Sequence, residues 1–456
     1  MDEQLIETTA AKHPITSRPQ THIRHGWLQS KVDADTLDRV FFTVGLLAVL
    51  RSKKLAGQTI GVMVTASHNP VQDNGIKLVD PQGEMLVSTW ESHATLLSQL
   101  IKPRFELEGD HHGLKTTPQL HYLVKCINDG GSYGAPTEEG YYKKLSDAFI
   151  ALNAGTTTPY TLMVDCANGV GAPKLKAMEA YLKSSALQLK LTSTDVESSE
   201  KLNKDCGADY VKTTQSAPSG VTLEPLARAC SYDGDADRIV YYYYSKDKTF
   251  RLMDGDKIAT LVASYIKELG LAITCTPTGV KHLHHAAQTF DIGTYFEANG
   301  HGTVVFSESL LKKLPDNSKL LSLAGLINQT VGDSMSDMLL VETVLNARGW
   351  GMAEWDTKYE ELPNRLVKVI VTDRHAFVTE DAERIFVKPD GMQLKINQIV
   401  SAYPSARSFV RPSGTEDCVR VYAEAATKEA TNELAFKVAG MVFDFCGKGD
   451  KPNEFL

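Results

Sequence analysis

The sequence predicts an α/β architecture repeated over several domains, with a smaller α+β domain at the C-terminal end. Chain length, alternation of strand-like and helix-like stretches, and a change of pattern in the tail carry that expectation. One hydrophobic core stops growing at about 250–300 residues, so 456 residues imply roughly three or four domains. Residues 36–51 read as a helix and 59–65 as a strand. Residues 161–166 form a second strand, which opens onto the loop Ala167-Asn168-Gly169-Val170-Gly171. Pro173 then starts a helix through about residue 183, because proline suits a first helical turn. An apolar-aromatic strand at 238–244 and an amphipathic helix at 254–269 continue the βα rhythm. In the tail, 366–371 and 418–425 alternate like half-exposed strands, and 427–446 reads as an amphipathic helix. Gly155–Pro159 and Glu361–Asn364 are the candidate linkers.

Composition is that of a globular protein, 42% hydrophobic and 23% charged. A formal charge of −8 gives no global attraction for nucleic acid or an anionic membrane, so an anionic substrate needs a local basic pocket. The seven cysteines are scattered, with no Cys-x-x-Cys pair, which argues against a disulfide framework or zinc site and for the reducing cytoplasm. No secretory signal is evident at Met1-Asp2-Glu3-Gln4. The longest apolar stretch, Val44–Leu50, falls far short of the ~20 residues that span a bilayer. It reads as a core helix ending at Arg51, Lys53 and Lys54, cations that suit a helix C-terminus.

Three loops carry chemistry. In Thr65-Ala66-Ser67-His68-Asn69-Pro70 an exposed serine is expected on a strand-to-loop turn, with His68 beside it and Lys77 shortly after. The histidine is a candidate proton carrier and the lysine a positive charge for phosphate; a plain capped turn is the alternative. In Asp233-Gly234-Asp235-Ala236-Asp237 three carboxylates alternate with small residues and can converge on one cation. Magnesium takes oxygen ligands at about 2.0–2.1 Å, and an EF-hand is excluded because a strand begins at Ile239 and no closing glutamate follows. Solvated aspartates are the competing reading. In Arg411-Pro412-Ser413-Gly414-Thr415, with Arg420 beyond, arginine, hydroxyls and a glycine-permitted turn of N–H groups suit phosphate, although a plain turn fits as well.

Together these loops resemble the α-D-phosphohexomutase superfamily, and within it the branch that acts on N-acetylglucosamine phosphate. The matching stretches are Thr65–Pro70, Asp73–Lys77, Thr116–Tyr122, Asp233–Arg238, Glu297–Thr303 and Arg411–Tyr422, with Thr278–His285 in the style of that branch. The resemblance implies three mixed-sheet α/β domains and a C-terminal α+β domain, divided at 1–155, 156–268, 269–362 and 363–456. It implies an isomerase in which Ser67 is a phosphoserine and in which Ser67, Asp233, Asp235 and Asp237 hold one magnesium ion. Glu297, Ala298, Asn299 and His301 would contact the sugar. Arg411, Pro412, Ser413, Gly414, Thr415 and Arg420 would bind the phosphate that is not reacting, and Arg238 is counted with the substrate-binding residues. His68 and Lys77 would handle protons. A sugar 1,6-bisphosphate would be both intermediate and priming agent, and UDP-N-acetylglucosamine synthesis the setting. The expected partner is a small sugar phosphate, neither nucleic acid nor membrane.

The chain departs from that pattern at three places. Where a Gly-Thr-Ala-Gly-Phe-Arg-like segment is expected, it reads His25-Gly26-Trp27-Leu28-Gln29-Ser30-Lys31. A Gly-Arg-Asp-Thr-Arg-like element is missing between residues 98 and 116, and 268–276 is short. The first domain is therefore expected to be truncated. Glucose or mannose phosphomutase, a non-catalytic sugar-phosphate binder, and a metal-dependent phosphatase are the competing functions.

Overall fold

The computed structural model describes residues 21–24, 27–30, 38–70, 74–87, 89, 90, 93, 112–266, 272–360, 362–413 and 417–455. The chain divides into two compact units. One comprises residues up to 271 with 279–358, the other 272–278 with 359–456.

In the first unit, β1 (Thr21–Arg24) and β2 (Trp27–Ser30) form a hairpin. Helix α1 (Asp38–Lys54) follows, then β3 (Gly61–Thr65) and β4 (Gly75–Val79). The strand order is β1-β2-β4-β3, and every pairing is antiparallel among the described residues. Arg51, in the basic last turn of α1, pairs with Asp80 just past β4 at 2.8 Å. Helix α2 (Thr117–Asn128) starts from a capping box, in which Thr116 and Gln119 each accept the other's backbone N–H. Thr137 caps α3 (Glu138–Leu152).

The second sheet is mixed, in the order β6-β5-β7-β8-β9. Strand β5 (Tyr160–Asp165) pairs in parallel with β6 (Leu187–Thr192) and β7 (Arg228–Tyr232). Strands β8 (Ile239–Tyr244) and β9 (Phe250–Met253) continue it in antiparallel fashion. Helix α4 runs over Gly171–Met178, so it begins before Pro173 and ends earlier than expected. Pro173 still lies in the first turn, where no N–H partner is needed. Beyond Met178 the backbone tightens to three-residue turns, with Tyr181 N–H on Met178 O and Leu182 N–H on Glu179 O.

Helices α5 (Ala208–Thr214), α6 (Gly255–Ile266) and α7 (Val280–Ala287) precede the hairpin of β10 (Ile292–Phe296) and β11 (Gly302–Phe306). Helix α8 (Lys319–Leu326) leads to α9 (Ser334–Arg348), which is buried from Ser334 through Leu345. Asp333 caps α9 by accepting from Met335 and Ser336, and Gly349 ends it at φ 63°. Met335, Met338, Leu339, Val341 and Leu345 of α9 pack with Leu162, Tyr232 and Tyr241 of the mixed sheet and Phe149 of α3 in one continuous core. This scaffold fixes the two hairpin turns, after β7 and β10, that bear the aspartates and the Glu-Ala-Asn-Gly-His segment.

The second unit has its own core. Its sheet runs β12 (Asn364–Ile370), β16 (Cys418–Glu424), β15 (Arg407–Pro412), all antiparallel, and β13 (Val378–Glu380) pairs with β14 (Ile385–Lys388) in a separate hairpin. Val367 and Val369 alternate with exposed Leu366, Lys368 and Ile370, as expected of a strand buried on one face. The buried row packs on α11 (Lys428–Cys446) through Leu434, Val438 and Val442, while α10 (Met392–Val400) adds Met392 and Ile396. Residues 31, 94–111 and 267–271, where much of the altered or shortened sequence falls, lie outside the described residues, as do Gly414 and Thr415.

Candidate active site

Strand β3 ends at Thr65, and the chain turns sharply at Ser67, whose φ is 54°. A side chain in left-handed backbone is strained, and such strain collects at functional sites. The Thr65 hydroxyl accepts the Ser67 N–H at 2.8 Å. Asn203 donates to the carbonyls of Ser67 and Asn69 at 2.8 and 3.0 Å. Ser67 is not exposed as the sequence suggested: it is 2% exposed, roofed by chain that arrives from far away. Part of that cover is Gly234, where a Cβ would lie 2.5 Å from Ser67 O.

The aspartate loop joins β7 to β8 as a hairpin turn, with Tyr232 opposite Ile239. Asp233, Asp235 and Asp237 are buried, and one carboxylate oxygen from each falls within 4.8 Å of the others. Asp233 Oδ1 accepts the N–H groups of Asp237 and Arg238 at 3.1 and 3.2 Å, which closes the turn. Asp233 Oδ2 lies 3.4 Å from Ser67 Oγ. Asp235 Oδ2 accepts from Thr117 Oγ1 at 2.5 Å and Lys77 Nζ at 2.9 Å, while its Oδ1 has no hydrogen bond among the described residues. Lys77 also reaches Asp237 at 2.7 Å.

The electrostatics fit a cation site. Burial, and then the charges of Asp237 and Asp235, push the Asp233 carboxyl well above the usual carboxylate range. Burial would lower the Lys77 ammonium, but Asp235 and Asp237 outweigh it and hold Lys77 above the usual lysine range. Burial, helped by Arg238, lowers the His68 imidazole to about 4, so at neutral pH it is an uncharged ring with a lone pair for a proton. An all-oxygen donor set in which two buried carboxylate oxygens, Asp235 Oδ1 and Asp237 Oδ1, lack a hydrogen bond among the described residues suits magnesium.

The Glu297–His301 segment is the turn between β10 and β11. Gly300 takes φ 86° and exchanges backbone contact with Ile239, so this turn abuts the aspartate loop. Asn299 donates to Glu297 Oε2 at 3.3 Å and accepts the His301 N–H at 2.9 Å. His301 Nδ1 lies 3.2 Å from Asp237 Oδ1, and Arg238 Nε lies 3.7 Å from the same oxygen. Ser67, Lys77, the three aspartates, Arg238 and His301 thus form one cluster. The carbonyl of Ala298 accepts from Lys212, which also pairs with Asp254 at 3.3 Å.

In the second unit Arg411 and Arg420 are direct cross-strand neighbours, and Lys368 is the next residue in the same row. Arg411 donates to the Thr278 hydroxyl and lies 3.7 Å from Glu383. Pro412 ends β15, and Ser413 is buried with its N–H on Cys418 O at 2.9 Å. Sequence reasoning named no role for Thr117, Asn203, Lys212 or Lys368. Only Thr117 lay within a stretch that carried the family resemblance, and Lys368 within one read merely as a strand.

A phosphoserine-type loop, an acidic cation site and a separate arginine row define a phosphohexomutase. Family models agree: phosphoglucomutase/phosphomannomutase alpha/beta/alpha domain I matches residues 22–95 and the C-terminal domain matches 366–441. Between them, phosphoacetylglucosamine mutase AMG1 domain II matches 134–240 and domain III matches 264–350. Phosphoacetylglucosamine mutase of Sus scrofa is 44% identical over 546 aligned positions, covering 99% of each chain. Aspergillus fumigatus N-acetylphosphoglucosamine mutase in complex with GlcNAc-6P and magnesium superposes with a TM-score of 0.90 at 42% identity, over 96% of this chain and 99% of that one. A serine-to-alanine variant of that fungal enzyme in complex with glucose 1,6-bisphosphate superposes at 0.84 with 42% identity, over 98% and 99% of the two chains. The chain belongs to the phosphoacetylglucosamine mutase family. The pig alignment has 90 more positions than this chain has residues, in keeping with the short segments read from the sequence.

Proposed function

We propose that the chain interconverts N-acetylglucosamine 6-phosphate and N-acetylglucosamine 1-phosphate through a phosphoserine at Ser67 and a sugar 1,6-bisphosphate, for UDP-N-acetylglucosamine synthesis. The observation that carries this reading is Ser67 Oγ at 3.4 Å from Asp233, inside a cluster of three buried carboxylates. Asp233, Asp235 and Asp237, with the Ser67 phosphate, would hold one magnesium ion. When bound, the ion offsets charge on the phosphoryl oxygens. Phosphoryl transfer depends mostly on positioning and charge stabilisation, and this chain's rigid turns supply the positioning.

In the first half-reaction the bond between phosphorus and Ser67 Oγ breaks and one to a free sugar hydroxyl oxygen forms. That hydroxyl gives up its proton, and the seryl oxygen takes one up. The bisphosphate then turns end over end and returns its other phosphoryl group to Ser67. His68 and Lys77 handle the protons. Glu297 and Asn299 hold sugar hydroxyls, with His301, Ala298 and Arg238 beside them. Arg411 through Thr415 and Arg420 bind the phosphate at rest. The four-domain division at 155, 268 and 362 remains our reading of the chain's organisation. Seven free cysteines support a reducing, cytoplasmic setting, and no described helix is long and apolar enough to cross a membrane.

A coupled assay with N-acetylglucosamine, glucose and mannose phosphates tests the choice of sugar. Fastest turnover of the N-acetyl sugar is expected, and activity confined to glucose 1-phosphate would contradict it. Phosphate release without isomer formation would instead indicate a phosphatase.

A further inference from the structure

The loop Ala167–Gly171 has no place in the chemistry above, yet it lies under the nucleophile. We infer that Asn203 is a positioning residue that locks Ser67 in its reactive backbone conformation, braced from below by this loop. The inference rests on the function proposed for Ser67.

The Asn203 side-chain NH2 group donates both hydrogens, to Ser67 O at 2.8 Å and Asn69 O at 3.0 Å. These carbonyls flank the turn that carries Ser67 at φ 54°. A strained turn persists only where surrounding structure over-determines it, and two bonds from one planar amide do so. Asn203 is itself fixed. Its N–H donates to Ala167 O at 3.0 Å, and its own φ is 55°. Ala167 and Asn168 are also left-handed, at 55° and 52°. Buried Asp165 anchors them, with Oδ1 on the Ala167 N–H at 3.1 Å and Oδ2 on the Gly207 N–H at 2.7 Å. Gly234 completes the stack: a Cβ there would lie 2.5 Å from Ser67 O and 2.9 Å from the Asn203 nitrogen. A continuous hydrogen-bonded path therefore runs from the mixed sheet through Asp165, Ala167 and Asn203 to Ser67. Asn203 touches no reacting atom; it sets where Oγ stands relative to Asp233.

Asn203→Asp is the discriminating variant, since it keeps the shape but turns the donor into an acceptor facing two carbonyls. Misplacement by about 1 Å costs about 10²-fold in rate. Asn203→Asp is expected to lower kcat by about 100-fold and Asn203→Ala by about 10-fold, with KM for the sugar phosphates within about 3-fold of wild type. Ser67 should also take up phosphoryl from glucose 1,6-bisphosphate more slowly in both variants, as read by intact mass. Thermal melting identifies a variant that fails to fold, and the alanine variant, free of the added charge, then carries the test. Wild-type kcat in a folded Asn203→Asp or Asn203→Ala chain would overturn the positioning role while leaving the mutase reading intact. A wild-type chain that neither turns over nor accepts phosphoryl on Ser67 would overturn both.

Discussion

The serine–aspartate cluster and the arginine row, to which we assign phosphoryl transfer and phosphate recognition, are built in opposite ways. The cluster is buried, and its turns are pinned by hydrogen bonds and held in left-handed backbone at Ser67, Asn203 and Ala236. The row on β15 and β16 is partly open, with the Arg411 side chain 31% exposed and Arg420 exposed. Chemistry in a phosphomutase happens at one point and rewards rigidity. In the function we propose, recognition of the resting phosphate must serve a sugar bound in either orientation, a task that long arginine side chains on a partly open sheet face suit. The two regions should therefore fail differently when altered: the cluster through kcat, the row through KM.

After loss of the nucleophile itself, the largest effect expected is from Asp235→Asn, which takes the charge from a proposed cation ligand and from the partner of both Thr117 and Lys77. Loss of about 10³-fold in kcat is predicted, and excess magnesium should restore little of it. Gly234→Ala comes next. Its methyl group would collide with Ser67 O, so kcat should fall about 10- to 100-fold with KM nearly unchanged. Arg420→Ala and Arg411→Ala should do the reverse and raise KM about 10- to 100-fold, because hydrogen bonds to charged groups are worth about 1.5–3 kcal/mol. A kcat loss without a KM change in either arginine variant would break the comparison.

The smallest effect concerns stability against pH. Burial lowers the His121 imidazole from its ordinary 6.5 to about 4, with its Nδ1 at 2.7 Å from Gly83 O. A folded-state pKa below the unfolded one means that the unfolded chain binds the proton first as pH falls. His121 should therefore withdraw up to about 3 kcal/mol of stability as pH drops from about 6.5 to about 4, and none above that window. Thermal melting of wild type and His121→Gln at pH 7 and pH 5 checks this. The variant's melting temperature should fall less over that interval.

Much of the site was legible because its chemistry is local. Three alternating aspartates, a Ser-His pair after a strand, and an Arg-Pro-Ser-Gly-Thr run each declare themselves within a few residues. The same holds for most elements: the strand expected at 238–244 is Ile239–Tyr244, and the terminal helix expected at 427–446 is Lys428–Cys446. What escaped was whatever depends on distant chain. Asn203 lies 136 residues from Ser67, Thr117 118 residues from Asp235, and Lys212 86 residues from Ala298. The burial of Ser67 was misjudged for that reason, since its cover is Asn203 and Gly234. A dipeptide likewise does not reveal how deeply the His68 ring is buried, nor that burial lowers its pKa to about 4.

The central claim is that Ser67 carries the phosphoryl group between substrates. Phosphopeptide mapping after exposure to glucose 1,6-bisphosphate, followed by addition of N-acetylglucosamine 6-phosphate, tests it most directly. One phosphoryl group is expected, on Ser67, that is discharged when the monophosphate is added, and a Ser67→Ala chain should lose more than about 10⁴-fold in turnover. Full mutase activity in Ser67→Ala, or turnover by wild type with Ser67 never phosphorylated, would contradict it.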